Sequence, residues 1–165
     1  HEKFLQHFLL VNTSKSYLKE VLDLHNDIEN MSTGKMLPEI KLQDHLLNTV
    51  STTKLINQPT VFYFWSQTQM SHYRNTVIKA RALEKLFPKY QFKGVCIQPF
   101  NEIVFEVHRM MNIDPETQLA FTNFDKASKK WVLSLLNRAI VVEANGEIKE
   151  GFGNFSTPDF VNLLK

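Results

Sequence analysis

Apolar residues recur at helical spacing over the first thirty positions of the chain. Phe4 and Phe8 lie four residues apart, and a second group of apolar residues follows at mostly three- and four-residue steps. We therefore predict two helical segments, the second beginning after a Ser14 or Ser16 cap and ending near Gly34. The second group consists of Tyr17, Leu18, Val21, Leu22 and Leu24.

The middle of the chain alternates between strand and helix patterns. Residues 60–65 predict a buried strand, and residues 71–87 carry apolar side chains at helical spacing up to Pro88, which ends the helix. Residues 92–98 predict a second buried strand, and residues 101–111 predict an amphipathic helix. The side chains of this helix predicted to face inward are Ile103, Val104, Val107 and Met110.

A β-hairpin is the strongest pattern in the last third of the chain. Residues 139–143 and 147–152 predict its two strands, and Asn145-Gly146 lies between them. An Asn-Gly pair favours the positive φ angles of a type I′ turn. We therefore expect two antiparallel strands joined by a tight turn of that type.

Shorter elements complete the pattern. Residues 37–40 predict an extended segment and residues 49–53 a β-branched edge element. Residues 118–121 predict a short strand, residues 127–135 a helix, and Thr157 a cap for a terminal helix. The order has parallel crossovers first and an antiparallel pair last, so the predicted class is α/β, with a central mixed sheet flanked by helices. The helices near the start form an N-terminal extension of this fold.

Composition narrows the classes of function. The 165 residues are 43% hydrophobic and 12% aromatic, which is enough for one buried core. Nineteen basic and seventeen acidic side chains leave a net charge of +2, and no segment combines clustered Lys and Arg with exposed aromatic residues. Nucleic acid is therefore not an expected partner. The apolar runs are far shorter than the roughly 20 residues that span a bilayer, so no membrane span is expected in this chain.

Four segments follow one another in an order known from one protein family. They are residues 37–42 (LPEIKL), residues 58–66 (QPTVFYFWS), residues 93–97 (KGVCI) and residues 139–148 (AIVVEANGEI). Together they resemble the TlpA/ResA-like thioredoxin family, the redoxin branch of bacterial envelope oxidoreductases. The resemblance covers residues 35–165.

The resemblance implies a fold, a division of the chain and a location. It implies a thioredoxin-like domain over residues 35–165. The apolar helical pattern from Phe4 onward leads us to expect that residues 1–34 form a helical extension and are the tail of an upstream region. It also implies that the protein belongs to the bacterial cell envelope or periplasm. We expect no cofactor.

The family's redox positions are changed in this chain. Counted from Trp65, the first cysteine of the family's Cys-x-x-Cys motif falls on Gln69 and the second on His72, and its cis-proline falls on Asn137. The family's first thiol lies at a helix N-terminus, which favours the thiolate. Gln69 neither ionises nor forms a mixed disulfide, so we predict a degenerate site with no catalytic residue and no disulfide exchange.

Other reactive side chains give little support for catalysis. His72 has no predicted acidic partner for general-base chemistry, and Cys96, the only cysteine, is expected to be a buried side chain within a strand. Thr68 and Ser71 are expected to be helix caps, and Trp131 a core residue. The six histidines show no short paired spacing, so no metal site is expected.

Three hypotheses about function stay open. The first is a redox-inactive binding or scaffold domain of a bacterial envelope protein, which binds a protein or peptide at the former redox cleft or at the N-terminal helices. The second is an oxidoreductase-family protein that takes part in thiol chemistry through a partner's cysteines. The third is a purely structural domain. The candidate cleft residues are Trp65, Gln69, His72, Asn137 and Arg138.

Overall fold

The computed structural model describes residues 15–165. A seven-stranded mixed sheet forms the centre of the fold. The predicted segment with Phe4 and Phe8 lies outside the described residues. The strands are β1 Lys41–Gln43, β2 Thr49–Ser51, β3 Thr60–Trp65, β4 Gln91–Cys96, β5 Gln118–Ala120, β6 Arg138–Val142 and β7 Ile148–Asn154. The helices are α1 Lys15–Asn30, α2 Thr52–Leu55, α3 Met70–Leu86, α4 Glu102–Met110 and α5 Phe124–Ala127, with 3-10 segments at Pro115–Thr117, Ser128–Trp131 and Pro158–Leu164.

The strand order is β2-β1-β5-β4-β3-β6-β7. Strands β3, β4 and β5 are parallel, and β6 and β7 add to this group as an antiparallel pair. Trp65 pairs with Cys96, and Cys96 pairs with Ala120, so the three parallel strands end at one edge of the sheet. We call this edge the carboxyl edge. The predicted α/β class, with a mixed sheet, flanking helices and an N-terminal helical extension, is confirmed.

Strand β3 is buried on both faces. Val61, Tyr63 and Trp65 belong to the core layer that packs against α3, α4 and the C-terminal 3-10 segment. Phe62 and Phe64 belong to the opposite layer and lie against the ring of Trp131. Because strand side chains alternate between faces, a central strand covered on both sides reads as one continuous apolar run.

Helix α4 faces the core with a different set of side chains than predicted. Val104 and His108 are buried, whereas Ile103 and Met110 are 74% and 78% exposed. The prediction that Ile103 and Met110 face inward is therefore wrong. Apolar side chains form two stripes along this helix, one with Ile103 and one with Val104. The contact of His108 with Tyr73 in the core places the Val104 stripe inside.

Two predicted details near the C-terminal third also differ. The helix predicted over residues 127–135 is instead α5 followed by the 3-10 segment Ser128–Trp131, and the chain turns at Val132, whose φ is +51°. In the hairpin, Gly146 has a φ of +90° and donates its N–H to Glu143 O, but Asn145 has no positive φ. The turn is therefore not of type I′, which needs two consecutive positive φ angles.

The side-chain caps predicted at Thr68 and Thr157 are not formed. Gln69 occupies the N-cap position of α3 without a side-chain cap bond, while the Thr68 hydroxyl lies 2.9 Å from the Ser66 hydroxyl. Thr157 occupies the N-cap position of the terminal 3-10 segment, but its hydroxyl donates to the carbonyl of Asn154 and accepts no cap hydrogen bond.

Candidate functional site

The turn after β3 is the predicted location of the former redox site. It comprises residues 66–69, between the end of β3 at Trp65 and the start of α3 at Met70. The backbone N–H of Gln69 donates to Ser66 O over 3.1 Å, and the Gln69 side chain is exposed. The strand, turn and helix are therefore arranged as the resemblance implies.

Side-chain amides tie this turn to the loop that follows β4. The N–H of Gln67 donates to Gln98 Oε1 over 2.9 Å, and Gln98 Nε2 donates to Ser66 Oγ over 2.7 Å. Gln67 Nε2 donates to the carbonyl of Pro99 over 2.8 Å, and Asn101 Nδ2 donates to Gln67 Oε1 over 2.8 Å. The two loops therefore form one hydrogen-bonded unit at the carboxyl edge.

Cys96 lies beneath this unit. It is the last residue of β4, not a mid-strand residue, and its side chain is fully buried. The thiol donates to Gln98 Oε1 over 3.4 Å and lies 3.6 Å from Gln67 Nε2. Burial raises the pKa of the Cys96 thiol. A neutral, inaccessible thiol is a poor nucleophile, and the prediction of a buried cysteine is confirmed.

Trp65 points into the core. Its side chain is fully buried and stacks on Tyr73 with ring centroids 3.7 Å apart. The indole N–H donates to Gln118 Oε1 over 3.1 Å, and Gln118 Nε2 donates to the hydroxyl of Tyr63 over 3.1 Å. Gly94 pairs with both Tyr63 and Gln118, and a Cβ at this glycine would lie 2.8 Å from the Tyr63 hydroxyl. Gly94 is thus the residue that leaves room for this buried polar group.

Tyr73 also contacts His108, which the sequence did not single out. The Tyr73 hydroxyl lies 2.9 Å from His108 Nε2, and His108 is only 4% exposed. Burial lowers the pKa of His108 to about 4, so the ring is neutral at neutral pH. Its Nδ1 has no hydrogen-bond partner among residues 15–165. The one sequence signal for a buried His108 is its four-residue spacing from Val104.

His72, in the first turn of α3, is half-buried. Its Nε2 lies 3.4 Å from the Thr76 hydroxyl, which donates to the His72 carbonyl over 2.7 Å. Burial lowers the pKa of His72. Within the described part of the chain it forms no ion pair with a carboxylate. His72 therefore lacks the oriented acidic partner that a general base of a catalytic dyad uses.

Asn137 and Arg138 reach the carboxyl edge from β6. Tyr63 pairs with Ala139, which places Asn137 level with Trp65. The carbonyl of Asn137 accepts the N–H of Phe155 over 2.7 Å, and the described residues contain no cis peptide bond. Asn137 is half-buried, so part of its side chain reaches the surface.

Arg138 is buried and fully engaged with the backbone. Its guanidinium donates to the carbonyls of Trp131, Val132 and Gly151 and lies 4.2 Å from the ring centroid of Phe152. Burial lowers the pKa of Arg138 to about 10, so the group stays charged at neutral pH. Arg138 joins β7 to the turn at Val132 and offers little of its side chain to a ligand.

The five candidate cleft residues therefore share one edge but differ in exposure. Gln69 is exposed, His72 and Asn137 are half-buried, and Trp65 and Arg138 are buried. These residues line none of five surface pockets of 190 to 460 Å³.

Comparison with known proteins bears on the fold. No family model matches the chain, and no curated protein matches it. A solved structure of a Bacteroides vulgatus protein assigned as a thiol-disulfide oxidoreductase matches with a TM-score of 0.67 at 12% identity, covering 82% of this chain and 96% of that one. The chain has a thioredoxin-like fold.

Two further structures agree with this assignment. The thioredoxin domain of a thiol-disulfide oxidoreductase from Bacteroides vulgatus matches with a TM-score of 0.62 at 17% identity, covering 79% of this chain and 92% of that one. A Chlorobium tepidum protein named as the thiol:disulfide interchange protein DsbE matches with a TM-score of 0.59 at 11% identity, covering 80% and 92%. The predicted resemblance to TlpA/ResA-like thioredoxin proteins is thus confirmed for the fold.

The described residues contain neither a candidate metal cluster nor a membrane-spanning helix. Within residues 15–165, no three or more His, Cys, Asp or Glu side chains lie close enough together to hold a metal ion. No described helix is both long and apolar enough to cross a membrane.

Proposed function

We propose that this chain is a redox-inactive thioredoxin-like binding domain of a bacterial envelope protein. The observation that supports this proposal is the hydrogen-bonded unit formed by the turn after β3 and the loop after β4. This unit presents no thiol at its surface. The only cysteine, Cys96, is buried beneath it with a raised pKa. Disulfide exchange needs an accessible thiolate, which this arrangement does not supply.

The proposed binding surface consists of Gln69, His72 and Asn137. These three side chains are exposed or half-buried at the carboxyl edge, where ligands bind in open α/β sheets. The amide groups of Gln69 and Asn137 can donate to and accept from a peptide backbone without covalent chemistry. The His72 ring lies beside them, with its Nδ1 enclosed and its Nε2 3.4 Å from the Thr76 hydroxyl. Because these residues line none of those five pockets, a protein or peptide suits this surface better than a small molecule. Trp65 and Arg138 support the surface from within.

The envelope location and the domain division are parts of the same proposal. Structures with this fold come from bacteria, including Bacteroides vulgatus and Chlorobium tepidum. The resemblance to envelope oxidoreductases supports the same location for this chain. We assign residues 35–165 to the thioredoxin-like domain and residues 1–34 to the helical extension, whose α1 is a second candidate surface for a partner.

Site-specific photo-crosslinking tests the binding surface. A photoreactive amino acid at position 69 should crosslink a defined bacterial protein, and His72→Ala should reduce the yield. The matched control places the same amino acid at Asn75, an exposed residue of α3. If positions 69 and 75 capture the same proteins with equal yield, or position 69 captures none, the surface has no specific partner.

The names of the structural neighbours favour a second candidate function. Three structures with this fold are named as thiol-disulfide oxidoreductases or interchange proteins. The second candidate is therefore that this chain assists thiol chemistry through the cysteines of a partner. The partner captured at position 69 distinguishes the two. Under the second function, this chain accelerates disulfide reduction by that partner, and Gln69→Ala removes the acceleration. Under the first, the rate of the partner alone is unchanged.

The burial of Trp65 and Arg138 favours a third candidate, a purely structural domain. In a structural domain, His72→Ala and Asn137→Ala leave the crosslinking yield from position 69 unchanged, and Gln69→Ala leaves any association of the full-length protein unchanged. Loss of the specific crosslink in His72→Ala or Asn137→Ala excludes this candidate.

A further inference from the structure

A pocket of about 330 Å³ lies at the carboxyl edge on the far side of the sheet centre from the former redox turn. Lys41 of β1, Lys126 of α5 and Lys130 of the following 3-10 segment line it, together with Thr122 and Asn123, which follow β5. Its size falls at the lower end of the range for small-ligand sites. Three separate elements thus bring ammonium groups to one concave surface.

The ammonium groups of this pocket are largely uncompensated. Neither Lys41 nor Lys126 forms an ion pair or a side-chain hydrogen bond within residues 15–165. Lys130 Nζ makes a long contact of 3.4 Å with the carbonyl of Glu39. No carboxylate lines the pocket. Nearby, the Glu39 carboxylate accepts the hydroxyl of Ser51, and Asp125 is exposed without lining the pocket.

The uncharged polar groups of the pocket also favour an acceptor. Asn123 Oδ1 accepts the N–H of Lys126 over 3.2 Å, which leaves the Asn123 amide NH₂ as a donor. The Thr122 hydroxyl is exposed and has no hydrogen-bond partner in the described part of the chain. The side chains therefore present three ammonium groups, an amide donor and a hydroxyl, whereas Ile40 supplies an apolar wall. A set dominated by donors matches a ligand rich in anionic oxygens.

We propose that this pocket, here called the lysine pocket, binds a small, multiply charged anion with phosphate or carboxylate groups. The oxygens of such a ligand contact the ammonium groups of Lys41, Lys126 and Lys130, and the Thr122 hydroxyl and Asn123 amide donate to them. A singly charged anion satisfies only part of this donor set and binds more weakly. The lysine pocket is independent of the proposed partner surface at Gln69 and His72.

Titration with pyrophosphate and with citrate, followed by ¹H–¹⁵N NMR, tests the proposal. Both probes should shift the backbone amides of Thr122, Asn123 and Ala127 in a saturable way, and acetate at the same ionic strength should not. A response to pyrophosphate alone assigns phosphate chemistry, and one to citrate alone assigns carboxylate chemistry. Saturable shifts at these amides support the site, and their absence up to 10 mM of both probes overturns it.

Two charge-matched triple variants separate the site from general attraction to a basic protein. Lys41→Gln with Lys126→Gln and Lys130→Gln should weaken binding about tenfold to a hundredfold, because three exposed ion pairs with the anion are lost at once. The control replaces three exposed lysines elsewhere, Lys54, Lys85 and Lys89, with Gln. The control should bind like the wild type. Equal weakening in both variants would mean that net charge alone attracts the probes and would overturn the site.

Discussion

Replacing Arg138 with methionine tests whether this side chain holds the fold together or serves a ligand. Arg138 is only 8% exposed, and its guanidinium donates to three backbone carbonyls, those of Trp131, Val132 and Gly151. Methionine retains much of the apolar bulk and removes every donor. After the change, the three carbonyls lose their side-chain partner in a buried location.

The expected loss of unfolding free energy follows from two opposing terms. Hydrogen bonds from a charged donor contribute about 1.5 to 3 kcal/mol each. Three carbonyls therefore account for roughly 4 to 9 kcal/mol. The desolvation of the guanidinium opposes this, and it lowers the pKa of Arg138 to about 10. A depression of that size costs about 3 kcal/mol. We expect Arg138→Met to lower the unfolding free energy by about 3 kcal/mol, and Arg138→Lys, which keeps the charge but fewer donors, by about 2 kcal/mol.

Urea unfolding followed by circular dichroism measures these values. Arg74→Met is the matched control because Arg74 is exposed on α3, and it should change the unfolding free energy by less than about 0.5 kcal/mol. In Arg138→Met, amide hydrogen exchange should also accelerate around Val132 and Gly151. A loss below about 1 kcal/mol with unchanged exchange would refute the structural role of Arg138 and return it to the candidate ligand contacts.

Three further predictions concern the buried polar groups. Burial lowers the pKa of His108 to about 4 in the folded protein, below the usual 6.5. The contribution of neutral His108 to the unfolding free energy is therefore complete above pH 6.5 and is lost as the pH falls towards 4. Urea unfolding should show a loss of up to about 3 kcal/mol from this group, and parallel pH profiles of the wild type and His108→Phe would contradict it. The Cys96 thiol should react with Ellman's reagent at least about a hundredfold more slowly in the folded than in the unfolded chain, and equal rates would show that it is accessible. Gly94→Ala should lower the unfolding free energy by about 2 kcal/mol because the added methyl group meets Gln118 Oε1 first and then the Tyr63 side chain. An unchanged urea midpoint would contradict these contacts.

The element order was predictable from the sequence because burial imposes local periodicity. The apolar run at residues 60–65 corresponds to β3, and the helical spacing of residues 71–87 corresponds to α3, within one residue at each end. A central strand covered on both faces and a helix against one face leave patterns that need no knowledge of distant residues.

The details of the candidate site were less predictable because they depend on contacts between distant residues. From the sequence alone, the stripe of α4 with Ile103 and the stripe with Val104 fit the core equally well. The contact between His108 and Tyr73, 35 residues earlier in the chain, places the Val104 stripe in the core. Arg138 begins β6, one residue before the predicted strand, and its burial depends on the carbonyl groups of the turn at Val132 and of β7. No local pattern encodes these contacts.

Catalysis of insulin-disulfide reduction by dithiothreitol tests the proposed redox inactivity most directly. Wild-type protein and Cys96→Ser are compared with thioredoxin as the active reference and with dithiothreitol alone as the uncatalysed reference. The buried Cys96 and the absence of thiols at positions 69 and 72 predict that both proteins match the uncatalysed rate. A wild-type rate clearly above that of dithiothreitol alone, which disappears in Cys96→Ser, would contradict the proposed function.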